Sequence, residues 1–286
     1  MRILLIGRNG QVGWELERAL PALGELIATD RATLDLADFG AIRRVVSETK
    51  PDVSVNAAAY TAVDRAESEP ELAMRINGEA PGVLAEEAKR LGALLVHYST
   101  DYVFDGTLDR PYREDDAPNP ISVYGASKLA GERAIQFSGC RHLILRTSWV
   151  YGPRGNNFYR TIARAARERP QLRVVSDQFG APTSSGAIAR ATVSVLEVSL
   201  RSPSAATGMF HMTAGGETTW HGFAEAIVAL EGLKTPVLAI RSEEYPTAAR
   251  RPRNSRLDCT RLKTELGIEL PHWREELAAV IALLDQ

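Results

Sequence analysis

The chain has 286 residues, of which 44% are hydrophobic and 24% are charged, and its formal net charge is −2 at pH 7. This composition supports a sizeable core in one or two domains, and it gives no electrostatic reason to expect a nucleic acid or a membrane surface as partner. The two cysteines form no CxxC pair, which argues against a disulfide framework and is typical of a reducing compartment. Since the apolar run at the N-terminus is too short for a signal peptide and no run is long enough to cross a membrane, we expect a cytoplasmic protein.

Short apolar runs alternate with longer amphipathic stretches in the first half of the chain. The runs predict strands that are buried on both faces of a parallel sheet, at 3–6, 26–28, 53–55, 94–97 and 143–145. The stretches between them predict helices at 10–20, 38–48, 71–91 and 122–137. This alternation predicts an α/β fold with a Rossmann-type, doubly wound parallel sheet in residues 1–150.

The rhythm changes after about residue 150. A loop rich in Gly, Pro and Asn is followed by predicted helices at 158–168 and 273–284, with a strand at 172–175. Between them lie helical SSGAIARATVSVLEVSL, strand-like MFHM, helical TTWHGFAEAIVALEGL and a predicted surface turn, RSPSAATG. We expect residues 151–286 to form a smaller, mainly substrate-binding region whose chain can cross back to the sheet.

The first predicted strand runs into the sequence GRNGQVG, in which Gly7, Gly10 and Gly13 form a GxxGxxG pattern. Glycines permit a tight turn, close approach of the backbone to a phosphate and close helix–strand packing. The helix that begins near Gln11 would aim its N–H groups and its positive dipole end at a pyrophosphate. An ordinary turn is the alternative, but the position between a strand and a helix favours a dinucleotide site.

Residues with opposite charges follow the second predicted strand. Asp30 ends this strand, and its carboxylate can accept a hydrogen bond from the ribose 2′-hydroxyl of NAD. Arg31 and Arg8 would instead meet the 2′-phosphate of NADP, or they are solvated surface residues. The choice between NADH and NADPH is therefore open. Asp35 and Leu36 are placed at the adenine edge of the site, unless Asp35 caps the next helix.

Polar residues end the fourth predicted strand, in the sequence HYSTDYVFDG. Ligands of open parallel sheets bind outside the carboxyl ends of the strands, which places Ser99, Thr100, Asp101 and Tyr102 where chemistry would occur. A turn or a helix cap is the other interpretation of Ser-Thr-Asp. The loop-like sequence that follows argues against the cap.

The sequence VYGASK places Tyr124 and Lys128 on one face of a helix, at positions i and i+4. In isolation the two residues are as compatible with an exposed helix surface as with a catalytic role. Beside a bound nicotinamide, the Lys128 ammonium would lower the pKa of the phenol from about 10 toward working pH. Tyr124 would then donate a proton to a ketone oxygen that Thr100 also polarises, while Lys128 holds the nicotinamide ribose.

The motifs together resemble the dTDP-4-dehydrorhamnose reductase family, within the extended short-chain dehydrogenase/reductases. In order along residues 3 to 258, they are GRNGQVGWEL, NAAAYTAVDRAESEP, HYSTDYVFDG, YGASKLAGE, RTSWVYG, NNF, DQFGAPT and ARRPRNSRLD. The resemblance implies NAD(P)H-dependent reduction of the 4-keto group of dTDP-4-dehydro-β-L-rhamnose to dTDP-β-L-rhamnose, in dTDP-rhamnose and cell-surface polysaccharide biosynthesis.

The resemblance also implies which residues form the site. Cofactor contacts are implied at Gly7, Gly10, Gln11, Val12, Gly13, Asp30, Asp35, Leu36, Ala59, Tyr60, Thr61, Tyr98, Tyr124 and Lys128. Catalytic roles are implied for Thr100, Tyr124 and Lys128, and contacts with the dTDP-sugar for Thr100, Asp101 and Trp149. For Trp149, a place in the hydrophobic core is the alternative to stacking on the substrate. Four arginines either form a solvated loop or bind the substrate diphosphate: Arg250, Arg251, Arg253 and Arg256.

Some members of the family are described with a Mg²⁺ that glutamates bind at a dimer interface, which implies a homodimer as a candidate assembly. Glu15 matches one of these positions, but SSGAIARAT offers no carboxylate, and the C-terminus offers Asp285 rather than a glutamate. A solvated residue in the first turn of a helix is the alternative for Glu15. The sequence therefore leaves the metal undetermined, and the five histidines show no metal-ligand spacing.

Two other functions stay open at this point. A nucleotide-sugar epimerase or dehydratase would share the same framework, although Tyr102 stands where dehydratases carry a glutamate. A non-catalytic subunit resembling the β subunit of methionine adenosyltransferase would share the family's sequence features. The intact set of Thr100, Tyr124 and Lys128 favours a reductase.

Overall fold

The computed structural model describes residues 1–201 and 207–284. Most of the predicted turn RSPSAATG, and Asp285, lie outside the described residues. The strands are β1 (Arg2–Ile6), β2 (Glu25–Thr29), β3 (Val53–Asn56), β4 (Leu94–Thr100), β5 (Arg141–Thr147), β6 (Val150–Tyr151), β7 (Leu172–Val175), β8 (Phe179–Gly180), β9 (Thr183–Ser184), β10 (Gly208–His211), β11 (Thr218–Thr219) and β12 (Val237–Ile240).

The helices are α1 (Gln11–Ala19), α2 (Phe39–Thr49), α3 (Val63–Ala66), α4 (Pro70–Met74), α5 (Ala80–Leu91), α6 (Val123–Ser138), α7 (Phe158–Glu168), α8 (Ser185–Arg201), α9 (Trp220–Leu230), α10 (Thr260–Leu266) and α11 (Trp273–Leu284). Short 3-10 turns lie at Leu20–Ala22, Asp101–Val103 and Ser242–Glu244, and a π-helical turn at Arg75–Glu79 joins α4 to α5. In the described part of the chain, no helix is both long and apolar enough to cross a membrane.

Six strands form a parallel sheet in the order β10-β5-β4-β3-β1-β2. The chain moves outward from β1 to β2 and then returns past β1 to β3, so the direction of winding reverses between β1 and β3. Such a switch point opens a crevice at the carboxyl ends of the strands. The predicted doubly wound α/β sheet is confirmed.

The sheet is buried on both faces because its strands are nearly continuous apolar runs. Ile3, Leu4 and Leu5 in β1 are fully buried. Apolar side chains of α1, α8 and α10 pack on one face, and those of α2, α5 and α6 pack on the other. Burial of this apolar surface is the main free energy that holds the helices on the sheet.

The five predicted strands and the helices of the first half are confirmed, with one exception in detail. The helix predicted at 71–91 is divided into α4, the π-helical turn and α5. Asn77 in the π-helical turn is buried. It accepts a hydrogen bond from the N–H of Tyr60 and donates one to the carbonyl oxygen of the same residue. Because a π turn inserts an extra residue into a helix, it shifts this side chain around the helix axis, and here the side chain meets the backbone of the cleft-lining residue Tyr60.

The chain after residue 150 contributes to two layers. β10 pairs in parallel with β5, and α8 packs on α1, so both belong to the large sheet and its helix layer. A separate apolar cluster joins α7, α9 and α11 with β7. The strand β12, which pairs with β7, and the helix α10 were not among the sequence predictions.

Candidate active site

A cleft of about 920 Å³ opens at the carboxyl ends of the parallel strands, around the switch point between β1 and β3. The predicted site residues that line it are Gly7, Gly10, Gln11, Val12, Asp30, Asp35, Leu36, Ala59, Tyr60, Thr61, Tyr98, Thr100, Asp101, Tyr124, Lys128 and Trp149. Gly13 lies behind the glycine loop. A cleft of this size and position is typical of a site for a nucleotide cofactor and a small substrate.

The glycine loop is shaped by close backbone packing. Gly7 has a φ of +91°, and a Cβ there would lie 2.8 Å from the backbone of Ala58. A Cβ on Gly13 would lie 2.0 Å from the carbonyl oxygen of Gly7, so α1 can approach β1 only without a side chain at this position. Gly10 precedes α1 and has no side chain to cap it. The first-turn amides are therefore available to a phosphate.

Asn157 connects the glycine loop to the second half of the chain. Its Nδ2 donates to Gln11 Oε1 at 2.8 Å and also to the carbonyl oxygens of Gly152 and Arg154. Its Oδ1 accepts from the N–H of Arg160 and so caps α7. Asn157 therefore sets the orientation of Gln11 from 146 positions away in sequence. The motif NNF pointed to this residue without indicating the contact.

The charged residues after β2 are distributed between the cleft and their own loop. Asp30 accepts from the N–H groups of Ala32 and Thr33, and these bonds hold the pKa of Asp30 below its usual value. Arg31 is exposed, lines the cleft and makes one long contact, 3.5 Å, with Asp35. Because the carboxylate of Asp30 is occupied by its loop, Arg31 is the residue here best able to meet a 2′-phosphate.

Two of the alternatives raised for this region are settled by geometry. Asp38, and not Asp35, caps α2 by accepting from the N–H of Ala41. Arg8 forms an ion pair with Glu17 of α1 while its side chain stays 42% exposed, so its guanidinium is partly solvated and does not line the cleft.

Thr100 and Asp101 stand together at the end of β4, both nearly fully buried. The hydroxyl of Thr100 donates to Asp101 Oδ1 at 3.0 Å and accepts from the N–H of Tyr102 at 3.1 Å. Thr100 thus caps the 3-10 turn, and the expectation that this sequence is not a cap was wrong. A turn of three residues has no periodicity that sequence reasoning could detect. Burial raises the pKa of Asp101 to about 6.

Tyr124 lies in the first turn of α6, which Ser122 caps by accepting from the N–H of Gly125. Burial and the nearby carboxylate of Asp101 raise the pKa of the phenol above its usual value, and the Thr100 hydroxyl offsets part of this. The expected lowering of this pKa by Lys128 is wrong for this structure, because Lys128 Nζ donates to the carbonyl oxygen of Tyr98 and not to the phenol. A raised pKa keeps Tyr124 protonated at neutral pH and able to act as an acid.

Lys128 is almost fully buried beneath the cleft. Its Nζ donates to the carbonyl oxygen of Tyr98 at 2.6 Å and lies 3.1 Å from His97 Nε2. Burial lowers the pKa of Lys128 to about 8, against the opposing effect of the Glu132 carboxylate. Lys128 can therefore exist in both protonation states close to neutral pH.

Trp149 follows β5 in a strained backbone conformation, with a φ of +48°. Its ring lies on Gly180, where a Cβ would come within 2.6 Å of the indole. Trp149 is 9% exposed, lines the cleft and stacks on Trp220 of α9. It is thus part of the core and part of the cleft at once. Sequence reasoning did not identify Trp220.

The arginines of the segment 250–256 do not line the cleft in the described part of the chain. Arg251 forms a bidentate ion pair with Asp64, next to the cleft-lining residue Val63. Arg256 binds Glu217. The ion pair of Arg251 therefore fastens the C-terminal segment to α3 at the edge of the cleft.

The surroundings of Glu15 do not suit a divalent cation. Burial raises the pKa of Glu15, and the positive charges of Arg18 and Arg190 nearby offset part of this rise. Arg190 donates to Glu276 at 2.6 Å. Within residues 1–201 and 207–284, no group of three or more His, Cys, Asp or Glu side chains could hold a metal ion. With two guanidiniums beside Glu15 and no further carboxylate ligands grouped with it, the described residues of a single chain do not fit the ion.

Comparisons with known proteins agree with this geometry. The family model of the RmlD substrate binding domain matches residues 1–286. A dTDP-4-dehydrorhamnose reductase from Burkholderia thailandensis is 50% identical over 285 residues, which cover 96% of each protein. The crystal structure of a dTDP-4-dehydrorhamnose reductase from Clostridium acetobutylicum has a TM-score of 0.94 and 39% identity, and the match covers 100% of both chains.

A further crystal structure, of dTDP-4-dehydrorhamnose reductase from Bacillus anthracis in complex with NADP, has a TM-score of 0.92 and 35% identity over 99% of both chains. These matches extend over the sheet and over the region after residue 150. They confirm the resemblance that the ordered motifs indicated. The chain therefore belongs to the RmlD substrate binding domain family, together with these dTDP-4-dehydrorhamnose reductases.

Proposed function

We propose that the protein is a dTDP-4-dehydrorhamnose reductase, which uses NAD(P)H to reduce the 4-keto group of dTDP-4-dehydro-β-L-rhamnose to dTDP-β-L-rhamnose. One observation carries the assignment of roles: Tyr124, Thr100 and Lys128 line the same cleft as the glycine loop. Membership of the family supports the reaction and the substrate. Bound NAD(P)H would supply hydride to the carbonyl carbon.

In this proposal, each catalytic side chain acts at the ketone oxygen or holds a group that does. Tyr124 donates the proton that the developing alkoxide requires. Thr100 polarises the same oxygen through its hydroxyl, which Asp101 holds in place by accepting its hydrogen bond. The side-chain nitrogen of Lys128 lies at the base of the cleft, where it would bind the ribose of the cofactor.

The remaining residues position the two ligands. The first-turn amides of α1 would bind the pyrophosphate of the cofactor, and its adenosine end would be held by the cleft-lining residues Asp30, Arg31, Asp35 and Leu36. Tyr60 donates its N–H to Asn77 Oδ1 and accepts from Asn77 Nδ2 through its carbonyl oxygen, which fixes this side of the cleft. Trp149 presents its outer edge to the sugar nucleotide. We infer that residues 1–150 mainly bind the cofactor and that residues 151–286 mainly bind the substrate.

The test is oxidation of NADH and NADPH with enzymatically generated dTDP-4-keto sugar, followed by NMR of the product. We expect turnover to dTDP-rhamnose, and we expect Tyr124→Phe to lower kcat about 10²- to 10⁴-fold, the range of general acid catalysis. An unchanged urea-denaturation midpoint in the variant would show that the fold is intact. Full activity of Tyr124→Phe contradicts the mechanism, and an epimerised or dehydrated product contradicts the reaction. Absence of turnover together with co-purification of a synthetase would indicate a regulatory subunit.

We further propose that the enzyme acts in the cytoplasm, since both cysteines are thiols, Cys140 being buried and Cys259 half-buried. No nucleic acid partner is expected, because the net charge is −2. A homodimer is proposed from the family resemblance alone. Light scattering on the purified protein tests the assembly, and a monomer would contradict it.

A further inference from the structure

A chain of buried polar groups runs behind the cleft from β3 to the catalytic helix α6. The N–H of Ala58 donates to Asn56 Oδ1 at 3.2 Å, and Asn56 Nδ2 lies 3.1 Å from His97 Nδ1. His97 Nε2 lies 3.1 Å from Lys128 Nζ, which donates to the carbonyl oxygen of Tyr98 at 2.6 Å. Asn56 and His97 face each other because they are paired in register between β3 and β4.

Burial makes each of these contacts costly to leave unmade. Asn56 and His97 are 1% exposed and Lys128 is 2% exposed, so bulk water is not available as an alternative partner. Burial and the nearby Lys128 lower the pKa of His97 well below its usual value. The imidazole is therefore neutral at pH 7 and carries one proton, which lies either on Nδ1 or on Nε2.

The direction of the chain decides where this proton lies. The N–H of Ala58 can only donate, so the Asn56 amide must present its oxygen to Ala58 and its NH₂ group to His97. His97 Nδ1 is then an acceptor, and the imidazole proton lies on Nε2, facing Lys128. An ammonium has three donors and no acceptor, whereas a neutral amine can accept this hydrogen bond. The chain is fully satisfied only when Lys128 is neutral.

Other groups around Lys128 do not explain the same preference. On its own helix, Glu132 favours the protonated amine, but its carboxylate is paired with Arg146 of β5. The helical segment 63–91 packs against α6. Its buried polar residue Asn77 donates to the hydroxyl of Ser127 and not to Lys128. Within the described residues, Lys128 Nζ has its hydrogen bonds with His97 and the Tyr98 carbonyl, and with no side chain of the other titratable or charged groups on the elements that pack against α6, which include Tyr98, Asp101, Tyr102, Tyr124, Asp64, Arg65, Glu67, Glu69, Glu71, Arg75, Glu79, Glu86, Glu87, Lys89 and Arg90.

We propose that Asn56 and His97 are positioning residues that hold Lys128 as the acceptor of the His97 Nε2–H, so that this lysine releases its proton more readily than its burial alone requires. The role deepens the proposed function and rests on it, since Lys128 lies beside Tyr124 in the same cleft. It gives the site a group that exchanges a proton near neutral pH. His97 and Asn56 contact neither the substrate nor the reacting atoms in this arrangement.

The substitution Asn56→Asp reverses the direction of the chain. A carboxylate accepts from Ala58 and from His97, which moves the imidazole proton to Nδ1 and leaves Nε2 as an acceptor. Both the amine and the ammonium of Lys128 can donate to Nε2, so the neutral form loses the advantage that the Nε2–H gave it, and the new carboxylate favours the ammonium. We expect the midpoint of the Lys128 titration to rise by about one to two pH units, the equivalent of one buried hydrogen bond.

The measurement is NMR of the side-chain nitrogens in ¹⁵N-lysine-labelled, cofactor-free enzyme across a pH series. The chain has five lysines, and the other four are exposed and serve as internal references: Lys50, Lys89, Lys234 and Lys263. Because no substrate or cofactor is present, the result does not depend on reductase activity. A Lys128 shift without turnover would overturn the proposed function alone, and turnover without the shift would overturn this inference alone.

Three further variants separate the hydrogen-bond chain from simple attraction by the new carboxylate. In Asn56→Asp with His97→Leu, the shift should fall to less than half, because the connecting imidazole is absent. Asn77→Asp adds a carboxylate at another buried asparagine near α6 and should give the smaller shift of the single variants. His97→Gln, whose amide oxygen can accept from Lys128, should raise the midpoint in the same way as Asn56→Asp and serves if the leucine variant does not fold. An equal shift with and without His97, or no shift in Asn56→Asp, overturns the proposal.

Discussion

The indole rings of Trp149 and Trp220 lie face to face, with centroids 3.6 Å apart and planes 11° apart. Trp149 follows β5 of the large sheet, and Trp220 begins α9 in the apolar cluster after residue 150. Trp220 thus holds the strained Trp149 against the cleft from behind. Through this stack, the apolar cluster after residue 150 contacts a residue that lines the candidate substrate site.

Replacement of Trp220 should therefore weaken substrate binding more than chemistry. We expect Trp220→Ala to raise KM for the dTDP-sugar about 2- to 10-fold, the equivalent of one aromatic pair, with a smaller change in kcat and in KM for the cofactor. Steady-state kinetics with both substrates measures this. Trp220→Phe retains a ring and is the control. A KM that stays unchanged in the alanine variant would show that the stack does not position Trp149.

Arg31 is expected to discriminate between the two cofactors. Its guanidinium is exposed at the cleft and is held by one long contact with Asp35, so it can move onto a 2′-phosphate. Arg31→Ala should raise KM for NADPH about tenfold or more and leave KM for NADH within about twofold, since a charge-assisted hydrogen bond is worth roughly 1.5–3 kcal/mol. Arg44, an exposed arginine of α2, provides the matched control, Arg44→Ala. Equal effects on both cofactors would assign Arg31 to the loop and not to the phosphate.

The elements of the sheet were predictable because each carries its signal locally. Buried strands such as β1 are continuous apolar runs, and the glycine pattern lies directly between a strand and a helix, with Gly13 packed on the carbonyl oxygen of Gly7. Helices α7 and α11 were predicted to the residue, since their apolar spacing is regular. By contrast, β12 has four residues and two of them are exposed, so its sequence resembles a loop.

The contacts that organise the site were not predictable in the same way. Gln11 and Asn157 meet from 146 positions apart, and Lys128 meets His97 from 31 positions apart. No periodicity encodes such pairs; they follow only from the order of the strands. The direction of the pKa shift of Tyr124 was mispredicted for a related reason. Burial and the carboxylate of Asp101 outweigh a lysine whose Nζ bonds Tyr98 instead.

The buried ion pair between Glu132 and Arg146 should make a large contribution to stability. Both side chains are at most 2% exposed, and two hydrogen bonds of 2.8 and 2.6 Å join them. Glu132→Gln leaves a buried guanidinium without its counter-charge and should lower the free energy of unfolding by about 3–5 kcal/mol. Since Glu132 also favours the protonated form of Lys128, the pKa of Lys128 should fall below about 8 in this variant.

Urea denaturation measures the change in stability, with Asp116→Asn as the control. Asp116 pairs with Arg110, which is 45% exposed, and its loss should cost no more than about 1 kcal/mol. Equal costs for the two substitutions would mean that the buried pair contributes no more than a surface pair.

Asp101 should make the protein less stable as the pH rises, because its carboxyl group is buried. Burial raises its pKa in the folded protein to about 6, above the ordinary value of 3.8 that a solvent-exposed aspartate has in the unfolded chain. A raised carboxyl pKa means that the folded state favours the protonated form. This contribution is fully present below pH 3.8 and is lost as the pH rises through about 6.

The substitution Asp101→Asn removes the charge and keeps the shape of the side chain. At pH 8 we expect the variant to be more stable than the wild type by up to about 3 kcal/mol, the value of a pKa difference of this size. The gain should shrink between pH 6 and pH 4 as the wild-type carboxylate becomes protonated. Urea denaturation at a series of pH values measures it. The same variant lacks the charge that raises the pKa of Tyr124, so the basic limb of the kcat profile should move to lower pH. A stability difference that does not change with pH would mean that Asp101 is ionised equally in the folded and unfolded chains.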